Sequence, residues 1–97
     1  MQREDFVFTI GYQGNAAVVD TKSKRKYGKL STQDLAREGL FRQAFCSALY
    51  SGDQSEMEEL IAYFRDHSSI QAESAEALKR LFGVHEIPDY VNKTISV

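Results

Sequence analysis

Basic side chains gather in one short stretch of the chain, and cations are the groups with which proteins hold phosphate. Residues 21–29, TKSKRKYGK, carry five of the twelve basic residues and no acidic residue. Such cations can neutralise the phosphates of a nucleic acid, and the tyrosine among them can stack on a base. The candidate anion or nucleic-acid patch consists of Lys22, Lys24, Arg25, Lys26, Tyr27 and Lys29. The open alternative is a solvated loop or a charged edge strand, since exposed lysines prevent strand-to-strand aggregation.

The charge of the rest of the chain is acidic. The formal net charge is −2 at pH 7, and removing the five basic residues of 22–29 leaves seven basic against fourteen acidic residues, or −7. We therefore expect one positive patch on an acidic surface, and no general attraction to nucleic acid or to an anionic membrane. Weak, salt-sensitive nucleic-acid binding through residues 22–29 is the alternative function.

Cys46 is the strongest nucleophile that the sequence offers, and it would need a histidine beside it to react. It lies in a segment rich in phenylalanine and alanine, which predicts a small buried hydrophobic role. His67 and His85 are far from Cys46 in sequence, and neither a CxxC nor an HExxH pattern is present. We therefore predict no catalytic residues, no metal site and no cofactor.

Four carboxylates cluster near the start of a predicted helix, where paired acids could in principle exchange protons. They are Asp53, Glu56, Glu58 and Glu59. A helix N-terminus stabilises negative charge, so a solvated acidic helix start explains the same cluster. We expect this structural role.

Aromatic residues make up 11% of the 97 residues, and we expect this to exceed what so small a domain can cover internally. Tyr50, Tyr63 and Tyr90 fall outside the clearest apolar stripes, and tyrosine is enriched at protein interfaces. They form the candidate protein interface, and the alternative is that they cap the core with their hydroxyls in water. The main prediction is a non-catalytic binding or adaptor domain that acts through another protein or through self-association as a homodimer.

A β-hairpin is the first element predicted to position these side chains. Residues 6–12 alternate with the period of a half-buried strand, and Gly14-Asn15 suits a two-residue turn. The predicted cross-strand pairs are Tyr12–Ala17, Ile10–Val19 and Phe8–Thr21, all on one aromatic face. A three-residue turn, 13–15, remains open, as does continuation of the second strand past Asp20.

Helical periodicity follows from Ser31, a predicted N-cap. Gly39 either divides this region into a short and a longer helix or lies within one helix. Ser55 and Glu58 form a predicted capping box for a third helix that ends at residues 67–69. A last helix over about 70–82, with Gly83 after it, is predicted to bury Ile70, Ala77, Leu78, Leu81 and Phe82. Residues 91–97 alternate and add a third strand in one interpretation.

Residues 76–91, EALKRLFGVHEIPDYV, resemble the first helix and turn of helix-turn-helix repressors and resolvases, in which a leucine-rich helix ends in Gly-Val. The resemblance implies a recognition helix after the turn. Pro88 would break that helix, and Glu86 and Asp89 would repel phosphate. A capped helix that runs into a turn explains the same residues.

These features together predict one small α+β domain over residues 1–97. It has an N-terminal β-hairpin packed on three or four helices, with the C-terminal third strand as an open question. No apolar run is long enough for a transmembrane helix, and the first ten residues do not have the pattern of a secretory signal. A single cysteine fits a soluble domain of the reducing cytoplasm.

Overall fold

The computed structural model describes residues 1–69 and 71–97, and it has the predicted α+β fold. An N-terminal hairpin, several helices and a C-terminal third strand are all present. The elements in chain order are α1 (Arg3–Val7), β1 (Thr9–Gln13), β2 (Ala16–Val19), α2 (Thr21–Tyr27), α3 (Thr32–Arg37), α4 (Phe41–Ser51), α5 (Gln54–His67), α6 (Ala75–Phe82) and β3 (Lys93–Ser96).

The two-residue turn of the hairpin is confirmed. Gln13 pairs with Ala16, and Gly14 between them has φ of 58°. Only glycine adopts such a φ without strain, and glycine at the first central position is the requirement of a type II′ turn. The predicted pair of Tyr12 with Ala17 also forms.

The predicted strand register was wrong on the N-terminal side of Tyr12, because β1 contains a bulge between Thr9 and Gly11. Thr9, and not Ile10, pairs with Val19, and the next pair is Gly11 with Val18. The extra residue, Ile10, is left 63% exposed. The predicted aromatic sheet face therefore does not exist, since a bulge breaks the alternation of side chains between the two faces.

The start of strand β1 was also placed too early. Residues 3–7 form helix α1, with Glu4 and Asp5 in its first turn, where the helix dipole favours acids. Phe6 and Phe8 are buried in the core. The predicted strand pair of Phe8 with Thr21 does not form; the carbonyl oxygen of Phe8 accepts instead from Asp20 N at 2.9 Å.

The C-terminal strand lies parallel to β2, which gives a three-stranded mixed sheet of order β1-β2-β3. Ala17 pairs with Tyr12 on one side and with Thr94 on the other. Strand β1 therefore forms one edge of the sheet and β3 the other.

The basic run forms neither a loop nor a strand; it is helix α2. Strand β2 ends at Val19, and the carboxylate of Asp20 caps the helix by accepting from Ser23 N at 3.2 Å and from Ser23 Oγ at 2.8 Å. Lysine and arginine are good helix formers, and the cations of the last turn complement the helix dipole. Continuation of the strand past Asp20 was therefore wrong.

Helices α3 and α4 are separate, which decides the alternatives at Gly39. Ser31 caps α3 as predicted, since its Oγ accepts from Asp34 N at 3.1 Å. Gly39 has φ of 79°, a left-handed conformation that ends the short helix before α4 begins at Phe41.

The start of α5 differs from the predicted capping box. Asp53, two residues before Ser55, is the N-cap, and its Oδ1 accepts from Ser55 N at 2.9 Å and from Glu56 N at 3.2 Å. Aspartate is as good a cap as serine, so the earlier residue takes the position. The predicted end at residues 67–69 is confirmed, because α5 ends at His67.

Helix α6 is shorter than predicted. Ser74 caps it, so residues 71–74 lie outside the helix, while Ile70 lies outside the described residues. Gly83 ends it with φ of 69°, as predicted. Leu78 is buried, but Leu81 is 42% exposed, which corrects its predicted place in the core. No helix follows α6 in residues 83–97, so the helix-turn-helix alternative was wrong.

The core lies between the sheet and the helices, with buried side chains from α1, α3, α4, α5 and α6. Its largest fully buried side chains include Phe6, Phe45, Leu35 and Leu78. Phe41 and Phe64 meet edge to face, with ring centroids 5.1 Å apart, the geometry that aromatic pairs favour. None of the helices in the described parts of the chain is long and apolar enough to cross a membrane.

Candidate functional site

Helix α2 brings the basic run onto one exposed helix face. Lys22, Arg25 and Lys26 are exposed, and Lys29 follows just after the helix at the next position of the same 3–4 spacing. Lys24 is directed elsewhere, since its Nζ lies 2.7 Å from Oδ1 of Asp5. The helix and Lys29 together therefore present four cations that form no ion pair with the described residues.

Tyr27, the residue predicted to stack on a base, lies on the inner side of α2. It is half-buried and packs against the core, while Nζ of Lys26 lies 5.2 Å from its ring centroid. The patch that the helix exposes is therefore cationic without a free aromatic ring.

Two of the three predicted interface tyrosines pack against the core. The hydroxyl of Tyr50 donates to the carbonyl oxygen of Met1 at 2.8 Å, and its ring lies 6.2 Å from that of Phe6. Tyr63 stacks on His67 with ring centroids 3.9 Å apart. These contacts hold both tyrosines against the protein's own side chains.

Tyr90, the third predicted interface tyrosine, is 57% exposed. Its ring centroid lies 6.4 Å from that of Tyr12, which is itself 41% exposed at the edge of the sheet. The two rings form one wall of a cleft between β1, α4 and the segment after α6. We call this the edge cleft, and its lining residues are Phe6, Tyr12, Arg42, Cys46, Gly83, Val84, His85, Glu86, Pro88 and Tyr90.

The edge cleft has an apolar floor and a mixed rim. Phe6, Cys46 and Val84 are buried beneath it, while Tyr90 and His85 are exposed around it. Its volume is about 180 Å³. That volume is below the roughly 300–1,000 Å³ of typical small-molecule sites. The cleft therefore has the size for a single apolar side chain.

Arg42 is the cation of the edge cleft. Arg42 is half-buried, and its Nη1 donates to the carbonyl oxygen of Thr9 at 3.1 Å, which holds the guanidinium beside β1. No carboxylate among the described residues forms an ion pair with Arg42, although Glu86 also lines the cleft. Most of its five N–H donors therefore remain available to an acceptor that enters the cleft.

Burial affects two titratable side chains of the cleft, the thiol of Cys46 and the hydroxyl of Tyr12. Burial raises the pKa of the Cys46 thiol to about 11, against a smaller opposing effect of Arg42. Burial also raises the pKa of Tyr12, with additional effects of Cys46 and Tyr90 in the same direction. The expected burial of Cys46 is confirmed, since its side chain is 1% exposed beneath the cleft.

The backbone of Tyr12 faces the open edge of the sheet. Gln13 and Ala16 flank the two-residue turn and form its closing hydrogen-bonded pair. Hydrogen-bonded and non-hydrogen-bonded pairs alternate along an antiparallel ladder, so the N–H and C=O of Tyr12 point away from β2. No strand among the described residues covers that edge.

A second, polar groove lies between α1, α3 and α5, with a volume of about 760 Å³. In it Arg3 donates to the carbonyl oxygen of Leu30 at 2.6 Å and to Ser47 Oγ at 2.9 Å. Ser47 Oγ lies 2.7 Å from Thr32 Oγ1, which donates to Glu56. This network connects separate elements, so its buried polar atoms already have partners within the fold.

The acidic cluster is occupied by structural contacts. Asp53 caps α5, Glu56 accepts from Thr32, and Glu59 accepts from Gln33. Glu58 accepts from Gln54 Nε2 at 3.3 Å. Within the described residues, no group of three or more histidine, cysteine or carboxylate side chains is arranged to hold a metal ion.

Comparison with models of protein families, with curated proteins and with solved structures finds no match for this chain.

Tyr12 and Arg42 were not among the site residues predicted from the sequence. Arg42 and Cys46 are four residues apart in one helix, a spacing that places both on the same face and that was visible in the sequence. The position of Tyr12 at an open edge depends on the strand order, which is set by pairing between distant segments.

Proposed function

We propose that the protein is a small non-catalytic binding or adaptor domain, and that it binds a partner protein through the edge cleft and the open edge of β1. The observation that carries this proposal is the placement of Tyr12. Its backbone N–H and C=O face the open edge, and its ring lines the cleft. An extended peptide that pairs with β1 would therefore place one side chain in the cleft.

The chemistry of the cleft supports binding of a side chain. Main-chain hydrogen bonds to an edge strand supply affinity in such complexes, and an adjacent pocket supplies specificity. Tyr12 and Tyr90 give the site large, rigid apolar surfaces that still carry a polar hydroxyl, the residue type enriched in interface hot spots. Cys46 adds an uncharged floor.

The shape of β1 favours a separate partner over a second copy of this chain. The bulge at Ile10 interrupts the edge and leaves 11–13 as its regular part. Bulges of this kind protect edges from pairing with one another, because they twist the strand away from the flat ladder that self-association needs. A short peptide with an anchoring side chain fits such an edge.

We infer a cytoplasmic location from the cysteine content. The sequence has one cysteine, and that cysteine is buried and free. Free thiols are typical of proteins in reducing compartments.

A library of phage-displayed random heptapeptides, selected on the immobilised protein, tests the proposal. Enriched peptides are then synthesised and titrated against two variants. Tyr90→Ala removes one wall of the cleft and should weaken binding about tenfold or more. Leu81→Ala removes a similarly exposed apolar side chain from α6, outside the cleft, and should change binding by less than about twofold.

Two outcomes contradict the proposal. One is a selection in which no peptide is enriched over an unrelated control domain. The other is a set of enriched peptides that lose affinity for Leu81→Ala and keep it for Tyr90→Ala, which would place the binding surface on α6.

A second candidate function is weak, salt-sensitive nucleic-acid binding through α2. Its support is the single exposed face that carries Lys22, Arg25, Lys26 and Lys29. The stripe is about 10 Å long at 1.5 Å per residue, long enough to reach two successive phosphates of one strand. Since the rest of the protein is acidic and Tyr27 is packed inward, this function ranks below peptide binding.

A further inference from the structure

We infer that the edge cleft selects an extended partner segment in which an acidic side chain stands two residues from the apolar side chain that fills the cleft, and that Arg42 holds this carboxylate. The inference rests on the proposed function and specifies its partner. The juxtaposition that carries it is the guanidinium of the half-buried Arg42, which forms no ion pair with the described residues and is fixed at the start of the open strand whose other end borders the cleft.

The position of Arg42 along β1 sets the spacing. Its Nη1 is fixed at the carbonyl oxygen of Thr9, while the cleft opens beside Tyr12. In an added antiparallel strand, the residue opposite Tyr12 directs its side chain to the same face as the Tyr12 ring. Two positions later, the side chain of the extended partner points to that same face and lies beside the bulge, toward Thr9, where the guanidinium is fixed.

The chemistry of Arg42 sets the acidic preference. A guanidinium offers a planar fork of donors that matches a carboxylate, and a charge-assisted pair is stronger than a neutral hydrogen bond. Partial burial reduces the screening of this charge by water and salt. Glu86 is exposed and forms no ion pair with Arg42 among the described residues, so the cation remains free for a partner.

The preferred order along the partner is therefore apolar, any residue, acidic. A reversed order would require a parallel strand, whose pairing is slightly less stable per residue.

A defined peptide tests the inference. The probe is a fluorescein-labelled heptapeptide of threonines, blocked at both ends, with leucine at its fourth position and glutamate at its sixth. Threonine favours extended structure, and the blocked ends make the glutamate its only carboxylate apart from the dye. Matched peptides carry glutamine in place of glutamate, or serine in place of leucine. Binding is followed by fluorescence anisotropy at protein concentrations up to about 1 mM, the range of weak complexes.

We expect the glutamate peptide to bind about tenfold more tightly than the glutamine peptide. Arg42→Gln should remove this difference, so that both peptides bind alike, while Arg37→Gln on the exposed surface of α3 should preserve it. The serine peptide should bind more weakly than both, because it leaves the cleft unfilled. A preference for glutamate that survives Arg42→Gln would overturn the inference.

Tyr12→Pro separates a failure of the inference from a failure of the proposed function. This change removes the N–H donor that faces the open edge and should abolish binding of all the peptides. If the glutamate and glutamine peptides bind equally and both depend on Tyr12, the edge binds peptides and the role of Arg42 is wrong. If no peptide binds by about 1 mM, or if binding ignores Tyr12→Pro, both claims fail.

Discussion

The guanidinium of Arg42 lies 3.1 Å from the carbonyl oxygen of Thr9, measured from Nη1, and this bond connects α4 to the bulged start of β1. It places a cation at the rim of the edge cleft, which Tyr12 and Tyr90 also line. We expect this charge to contribute more to the proposed binding than to the stability of the fold.

Replacing Arg42 should therefore have little effect on stability. Arg42→Gln removes one hydrogen bond to a backbone carbonyl and no ion pair of the described residues, so we expect a loss of about 1 kcal/mol or less in the free energy of unfolding. Urea denaturation followed by circular dichroism measures this loss. A loss above about 3 kcal/mol would show that Arg42 mainly holds the fold together.

Replacing Arg3, in contrast, should lower the stability of the fold. Its guanidinium donates to the carbonyl oxygens of Gly28 and Leu30 at 2.9 and 2.6 Å and to the buried Ser47. Arg3→Met leaves these acceptors without their donor and should lower the free energy of unfolding by about 2 kcal/mol. Urea denaturation is again the measurement.

The control for this change is Arg37→Met, which breaks an exposed pair with Asp34 on α3. Exposed pairs contribute little, so we expect a change within about 0.5 kcal/mol. Equal losses in the two variants would contradict the role assigned to the Arg3 network.

The buried thiol of Cys46 should make stability fall at alkaline pH. Its pKa is about 11 in the folded protein against 9.0 for the unperturbed group, so the unfolded chain loses this proton first. The stabilising contribution is fully present below pH 9 and is lost as the pH rises through about 11, with an upper limit of about 2–3 kcal/mol. Comparing unfolding free energies of the natural chain and Cys46→Ala from pH 8 to 11 isolates this contribution from that of the tyrosines. If the free energies of unfolding of the two proteins changed equally with pH, the role assigned to the thiol would be contradicted.

The basic face of α2 is tested by charge reversal. The triple variant Lys22→Glu, Arg25→Glu, Lys26→Glu should abolish binding of a labelled DNA duplex at about 50 mM salt if α2 neutralises phosphates. Lys24 is left unchanged because it pairs with Asp5. The natural chain should also lose affinity steeply between about 50 and 200 mM salt.

The matched control reverses Arg37, Arg65 and Arg80, which changes the net charge equally on other surfaces. It should retain the binding that the natural chain shows. Equal loss in both triple variants would mean that net charge alone governs the interaction, and no binding by the natural chain would remove the second candidate function.

Local signals explain which parts of the fold could be predicted. The turn at Gly14, the cap at Ser31 and the helix end at Gly83 each depend on residues close in sequence, and each is present. The basic run was misjudged because the capping carboxylate of Asp20 was read as part of a strand. The bulge at Ile10 has no sequence pattern of its own.

The candidate site depends on contacts that the sequence does not encode locally. Tyr90 was predicted as an interface residue because it falls outside the apolar stripes. Its neighbour Tyr12 is 78 positions away, and only the folded chain brings the ring centroids within 6.4 Å. The edge position of β1 results from the pairing of β3 with β2. The acidic cluster, by contrast, was interpreted correctly as a helix start, since Asp53 caps α5.

The amide hydrogen exchange of Tyr12 tests the central claim most directly. Its N–H faces the open edge, so in the free protein it should exchange quickly with solvent deuterium. With the leucine–glutamate heptapeptide near saturation, pairing with β1 should slow this exchange about tenfold or more, while the amides of α2 remain unchanged. If the peptide is bound and the Tyr12 amide exchanges as before, or if protection appears at α2, the edge of β1 is not the binding site.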